Sequence, residues 1–293
     1  MDQKIIDLYD EFTHGDMSRR GFLDRLAHVA GGTAAALALL PILQNDYALA
    51  QTIGEDDDRL ATSRVQYDVV NPKVDGDRVV IAGYLAQPKG GQKHPGVIVI
   101  HENRGLNPHI QDVARRLAVD GFLALAPDML SPIGGTPKDE DQAAKMIASL
   151  NAGETVTRLA AAVPFLARHP QSTGKVGVVG FCWGGGNVNL LAAAGTTLNA
   201  GVAYYGMQIP AADVPRISAP LLLHYASLDT RINAGITDYE AALNANKKTY
   251  EKFMYEGANH AFNNDTNAAR YSKEAATLAW SRTIAFFRKY LAT

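Results

Sequence analysis

Three residues in this chain have the types and order needed for nucleophilic chemistry: Cys182, Asp229 and His260. A free thiol has an ordinary pKa of about 8.5, so only a few per cent is thiolate at neutral pH and a nucleophilic cysteine needs a base beside it. An imidazole can supply that base, and a carboxylate on its other ring nitrogen fixes the tautomer. Cys182 stands in Gly180-Phe-Cys-Trp-Gly184, a G-x-nucleophile-x-G pattern followed by two more glycines. Before it runs Val176-Gly-Val-Val, the composition of a buried parallel strand, and residues 187–194 after it read as a helix. Strand, tight glycine turn and helix form the layout of a nucleophile elbow. The turn forces its central residue into strained angles with neighbouring chain so close that side chains would clash. The following helix aims its N-terminal dipole at the thiol, which favours thiolate. An inert buried cysteine beside a glycine turn is the alternative, and the strand–turn–helix context argues against it.

Asp229 and His260 follow strand-like segments at 221–225 and 250–255, and the order Cys182, Asp229, His260 is that of nucleophile, acid and base. Taken singly, a loop histidine or a turn aspartate would signify little. An elbow also needs a second oxyanion donor from the loop after an early strand. His101-Glu-Asn-Arg-Gly105 closes the strand-like run 97–101, so the backbone N–H groups of Trp183 and Asn103 are the expected donors. Glu102 is out of place beside such a hole, because a carboxylate opposes the charge of the intermediate; pairing with Arg104 is its structural explanation.

The elements that must position these groups alternate. Strand patterns fall at 64–70, 79–88, 97–101, 122–126, 176–180, 201–205, 221–225 and 250–255, with a hairpin turn signal at 73–77. Helix patterns fall at 108–120, 139–150, 154–168, 237–246 and 272–290. Alternating β and α elements with apolar strands predict an α/β fold: a mostly parallel sheet with helices on both faces and its site at the strands' carboxyl ends. The stretch 131–137, rich in Gly and Pro, is expected to shape the pocket entrance.

With 293 residues, 47% of them hydrophobic, the chain can bury one large core. Three segments are expected: an N-terminal extension at 1–50, a solvated acidic linker at 51–63 and a catalytic domain at 64–293. A net charge of −2 without a basic run gives no support for nucleic-acid binding. A single cysteine excludes an intrachain disulfide, and the eight histidines lack ligand spacing, so neither a metal nor a cofactor is expected. Residues 1–17 have an amphipathic pattern; then come Ser18-Arg-Arg, an apolar run at 29–43 and Ala48-Leu-Ala50. That succession resembles a twin-arginine export signal and favours a periplasmic protein. Acidic residues before the arginines, and Asp24 where lysine is common, fit the alternative: a retained helical arm on a cytoplasmic protein. The apolar run is too short for a membrane span, so no stable insertion is expected.

Residues 64–291 resemble the dienelactone hydrolase family, α/β-hydrolases with a Cys-Asp-His triad. The resemblance rests on His101-Glu-Asn-Arg-Gly105, Gly180-Phe-Cys-Trp-Gly-Gly185, Tyr204-Tyr-Gly206, the Asp229 turn and His260-Ala-Phe262. It implies that Cys182 is the nucleophile, His260 base and then acid, and Asp229 the group that orients it. It also implies that Glu102 contacts the resting thiol and takes its proton when substrate arrives. The reaction implied is hydrolysis of a small-molecule ester or lactone through a thioester on Cys182, by a monomer or homodimer without a cofactor. Arg104, Tyr204, Tyr205 and Phe262 are the expected substrate contacts. The arginine with which dienelactone-cleaving members hold a substrate carboxylate is replaced by Asn264, which points to a neutral or larger substrate. A thioesterase, a single-cysteine thiol-redox protein and a non-catalytic binding module are the competing readings.

Overall fold

The computed structural model describes residues 1–49, 51–70 and 78–292. Its apolar runs form an eight-stranded sheet: β1 (Leu60–Val70), β2 (Arg78–Pro88), β3 (His94–Ile100), β4 (Leu123–Pro127), β5 (Ser172–Phe181), β6 (Ala200–Tyr204), β7 (Leu221–Ala226) and β8 (Tyr250–Tyr255). The order is β1-β2-β4-β3-β5-β6-β7-β8, antiparallel where β2 meets β1 and β4 and parallel from β4 to β8. The central parallel strands are buried because helices cover both faces, which is why their sequences are continuously apolar rather than alternating. The hairpin signal at 73–77 lies outside the described residues, but β1 and β2 pair in register from Val70↔Arg78 outward.

The helices are α1 (Gln3–His14), α2 (Arg19–Ala30), α3 (Thr33–Leu43), α4 (Pro108–Val119), α5 (Glu140–Ala148), α6 (Ala152–Ala167), α7 (Trp183–Ala192), α8 (Thr230–Asn233), α9 (Ile236–Ala245) and α10 (Lys273–Leu291). On one face α4 and α10 bury Ile110, Val113, Leu117, Phe286 and Phe287. On the other, α6, α7 and α9 bury Leu159, Val163, Leu166, Val188, Leu191 and Leu243. This is the α/β-hydrolase arrangement expected from the sequence, with strand ends mostly within two or three residues of their patterns. β1 and β5 each begin four residues earlier, where pairing with β2 and with β3 extends them beyond their apolar stretches.

The N-terminal segment is folded onto the body. Ser18 caps α2, accepting from the Gly21 N–H, so the Ser-Arg-Arg motif starts a helix. The apolar run 29–43 is not one helix: it breaks at Gly31 and Gly32, both at positive φ, and the segments on either side are bent by 112°. Ile5, Leu8, Tyr9, Phe22, Leu26, Ala36 and Leu43 bury one another in a small core of their own. The arm is tied down by Asn103 Nδ2 donating to the Thr13 carbonyl at 2.8 Å, Asn267 Nδ2 to the Leu43 carbonyl at 2.6 Å, and the Asp46 N–H to the Thr266 carbonyl at 2.8 Å. The expected linker is partly fixed as well: the Ile53 N–H donates to Asp112 and Arg115 Nε to the Ile53 carbonyl, while Glu55 and Asp56 remain exposed.

Candidate active site

Cys182 joins β5 to α7 at φ 55° and ψ −115°, a conformation that costs a non-glycine residue free energy and is held only by its surroundings. The Cys182 N–H donates to the Tyr204 carbonyl at 3.0 Å. Gly184 shows why the turn tolerates so little: a methyl there would lie 2.4 Å from the Ile100 carbonyl oxygen and 2.6 Å from that of His101. The close approach sets the first turn of α7 against the end of β3, and with it the 102–104 loop. Trp183 opens α7, so its N–H has no acceptor within the helix. Its indole stacks on His101, with ring centroids 5.1 Å apart and planes 9° apart. His101 Nε2 accepts from the Met129 N–H, so Nδ1 carries the proton and donates to the Glu102 carbonyl at 2.7 Å. Burial pushes the His101 pKa down, keeping this bracket neutral.

Asp229 leaves the end of β7 and His260 lies in the loop after β8, both buried. His260 Nδ1 and Asp229 Oδ2 are 2.5 Å apart, so the carboxylate orients the ring and directs Nε2 towards Cys182. His260 Nε2 is buried without a hydrogen-bond partner among the described residues, and a ring nitrogen of His260 lies within 4.8 Å of Cys182 Sγ. Positive φ recurs at Tyr205 (37°) and Ala261 (63°), next in sequence to Tyr204 and His260, so backbone strain gathers around this point.

The sulfur's hydrogen-bond partner belongs to the arm. His14, the last residue of α1, places Nε2 3.1 Å from Cys182 Sγ. Its Nδ1 is 3.0 Å from the Asp10 carbonyl and 3.1 Å from Asp10 Oδ1. Burial opposes a charge on His14, but the Cys182 sulfur and the Asp10 carboxylate outweigh it and raise its pKa. Burial likewise opposes ionisation of Asp10; the His260 and His14 rings and Arg270 overcome it and hold the carboxyl well below its ordinary range. Nothing in the local pattern around His14 announced this contact. The available signal was the four-residue spacing of Asp10 and His14 on an amphipathic helix, which lets the carboxylate reach the ring.

The remaining expected residues divide into two groups. Asn103, Arg104, Trp183 and Tyr205 line a cavity of about 800 Å³ that also includes Cys182 and His260. Tyr204 and Phe262 are fully buried core residues away from its wall; the Tyr204 hydroxyl pairs with Thr283 Oγ1 at 2.7 Å. Their neighbours in sequence face the site, and strand or loop alternation turns them inward. Glu102 accepts from Asn264 Nδ2 at 2.8 Å rather than pairing with Arg104, and His14 holds the place at the sulfur that Glu102 was expected to take. Asn264, which stands in place of the family's arginine, thus anchors Glu102. The 131–137 stretch is not in the cavity wall: Thr136 is bound to Asp128 and to the Leu106 N–H. The wall is formed by residues 12–19 of the arm, by α5 and α7, and by Met207, Ile209 and Pro210.

A cysteine on a strained strand–helix elbow, facing a carboxylate-oriented imidazole across the carboxyl ends of a mostly parallel sheet, defines an α/β-hydrolase. Residues 81–291 match the model of the dienelactone hydrolase family, and residues 1–32 match a second one, described as YqhI-like. The chain belongs to the dienelactone hydrolase family, hydrolases of lactone and ester bonds. It is 32% identical over 273 residues to the protein of Methylorubrum extorquens named "Putative carboxymethylenebutenolidase", covering 88% of this chain and 89% of that one. Among solved structures it is similar to a "Putative Dienelactone Hydrolase" of Klebsiella pneumoniae, with a TM-score of 0.67 and 29% identity over 78% of this chain and all of the other. It is also similar to the dienelactone hydrolase-like promiscuous phosphotriesterase P91 from metagenomic libraries, with a TM-score of 0.69 and 26% identity over 79% of this chain and all of that one.

Proposed function

We propose that this protein hydrolyses a neutral ester or lactone through a thioester formed on Cys182. The observation that carries the reading is the convergence of the strained Cys182 and the Asp229-oriented His260 on one cavity. The thiolate attacks the carbonyl, the N–H groups of Trp183 and Asn103 receive the oxyanion, and water activated by His260 releases the acid. A cavity of about 800 Å³ with Ile147, Leu190, Met207 and Ile209 in its wall suits a mid-sized, largely apolar acyl or alcohol group. The arginines at the cavity are already engaged. Arg104 donates to the Glu140 carbonyl at 2.7 Å, Arg19 pairs with Asp141 at 2.9 Å, and Arg231 is 3.7 Å from Asp10. Lys145 on α5 is the remaining cation in the wall, and the apolar lining favours a neutral substrate over one carrying a carboxylate.

The test is hydrolysis of nitrophenyl and alkyl esters and simple lactones by wild type and Cys182→Ala, with mass spectrometry of the protein. The expected result is loss of activity by a factor of about 10³ or more in the variant, and an acyl adduct trapped on Cys182 of the wild type. Full activity in Cys182→Ala would overturn the reading.

The arm is proposed to stay on the enzyme instead of serving as a removed export signal. Its buried core, its Arg19–Asp141 pair and its place in the cavity wall support this reading. An intact mass from native cells lacking about the first 50 residues would contradict it.

A further inference from the structure

We infer that His14, oriented by Asp10, is a second base at the nucleophile: it takes the Cys182 proton for acylation, leaving His260 to activate water. The inference rests on the proposed acyl-enzyme and adds a catalytic residue supplied by the N-terminal arm. The geometry separates the two imidazoles. His14 Nε2 is 3.1 Å from Sγ, whereas His260 Nε2 makes no hydrogen bond among the described residues. Each ring is held through its Nδ1, His260 by the Asp229 carboxylate and His14 by the Asp10 carbonyl and Thr13 Oγ1 at 3.0 Å with the Asp10 carboxylate 3.1 Å away, and the two rings meet edge to face with centroids 4.6 Å apart. Each ring is therefore built to present Nε2 to the reacting atoms. Two bases on one sulfur would be redundant if both served the same proton. They are not redundant if one serves the thiol and the other the water.

The steps balance. The Cys182 S–H proton moves to His14 Nε2 as the sulfur electron pair forms the S–C bond and the carbonyl π pair moves to oxygen. Collapse of that intermediate breaks the C–O bond to the alcohol oxygen, which takes the proton from His14. Water then attacks the thioester while its proton passes to His260 Nε2. Collapse returns the S–C pair to sulfur, and the His260 proton restores the S–H. Each ring ends in the protonation state in which it began.

The charged groups around His14 suit a proton acceptor. Asp10 faces it from its own helix, Cys182 from the elbow and His260 from the loop after β8. Glu102, Arg104 and Arg270 line the small pocket shared by His14, Cys182 and His260. Arg231 and Arg270 each approach Asp10 at 3.7 Å, and Arg270 adds to the His260 and His14 rings in favouring the Asp10 carboxylate. His14 is held in place through Thr13, whose carbonyl accepts from Asn103, and through Gln3, which donates to Asn259 at 2.6 Å.

The experiment compares wild type with His14→Gln, and with Asp10→Asn in case the first variant does not fold, in the full-length protein. One measurement is the rate of Cys182 alkylation by iodoacetamide across pH, which needs no turnover. The other resolves acylation from deacylation by single-turnover kinetics on a nitrophenyl ester and on an alkyl ester of the same acid. Expected are alkylation that loses its reactivity at lower pH and acylation slowed by about 10²-fold, with deacylation nearly unchanged. The acylation loss should be larger for the alkyl ester, whose poorer leaving group needs the proton more. If alkylation and acylation in both variants match wild type, the inference is overturned. If no ester turns over but alkylation shifts as stated, His14 is the thiol's base and the hydrolase reading is the one that fails.

Discussion

The two imidazole–carboxylate pairs at Cys182 are built by different parts of the molecule. Asp229 and His260 hang from the ends of β7 and β8, neighbouring strands in a sheet buried on both faces. Asp10 and His14 stand one helical turn apart on α1, whose contact with the body is made through a few side chains and an independent small core. The first pair is positioned by the same packing that stabilises the domain, so it cannot shift without disturbing the sheet. The second is preorganised within its helix but delivered by docking, and docking can be weakened separately. A site can thus draw one base from its scaffold and another from an appended segment, with different sensitivities to mutation and pH.

The sharpest way to test that contrast is to remove each pair in turn. His260→Ala should lower ester hydrolysis by about 10³-fold or more, because this ring serves the water and restores the thiol. Asp229→Asn should cost about 10²- to 10⁴-fold through the wrong tautomer, whereas Asp10→Asn should cost roughly tenfold, because the Asp10 carbonyl still orients His14; steady-state kcat values check both. An equal loss in the two asparagine variants would remove the distinction between scaffold and arm.

Weakening the docking without touching either pair is a gentler probe. Leu26 is fully buried in the arm's own core, and Leu26→Ala should destabilise that core by about 2–4 kcal/mol. Hydrogen exchange should then show residues 1–30 opening while β3 and β5 keep their protection, with activity falling no further than in His14→Gln. Loss of protection across the sheet would mean that arm and body fold as one unit.

The smallest expected effect is on pH. The Asp10 carboxyl lies well below its ordinary value of 3.8 when folded, so its contribution is complete above that value and is lost as pH falls through the depressed one. His14 is raised above 6.5, so its contribution is complete below 6.5 and is lost as pH rises through the higher value. Protection factors for residues 1–14 should therefore be highest between these limits and decline on both sides. Protection that stays flat from pH 5 to 9 would show that the His14 charge does not hold the arm.

Much of the body was legible because its signals are local. The glycine spacing around Cys182 dictates the elbow, and the strand runs dictate a parallel sheet whose carboxyl ends gather Cys182, Asp229 and His260. Side-chain direction at the margins of those elements was not legible: Tyr204 and Tyr205 are adjacent, yet one faces the core and the other the cavity. The partner of Glu102 was likewise hidden, since Asn264 reaches it across 162 positions of sequence.

The nucleophile's turn, the order of the scaffold's catalytic groups and the amphipathic pattern of residues 1–17 are readable along the chain. Each of these is written in spacing over a few residues and enforced by sterics or periodicity. The docking of α1 with His14 on the sulfur, 168 positions away, is a product of tertiary packing, because that contact depends on which surface the arm's apolar face covers. A thiol binds whichever imidazole the packing brings within reach, and packing between distant segments leaves no spacing for a sequence to display.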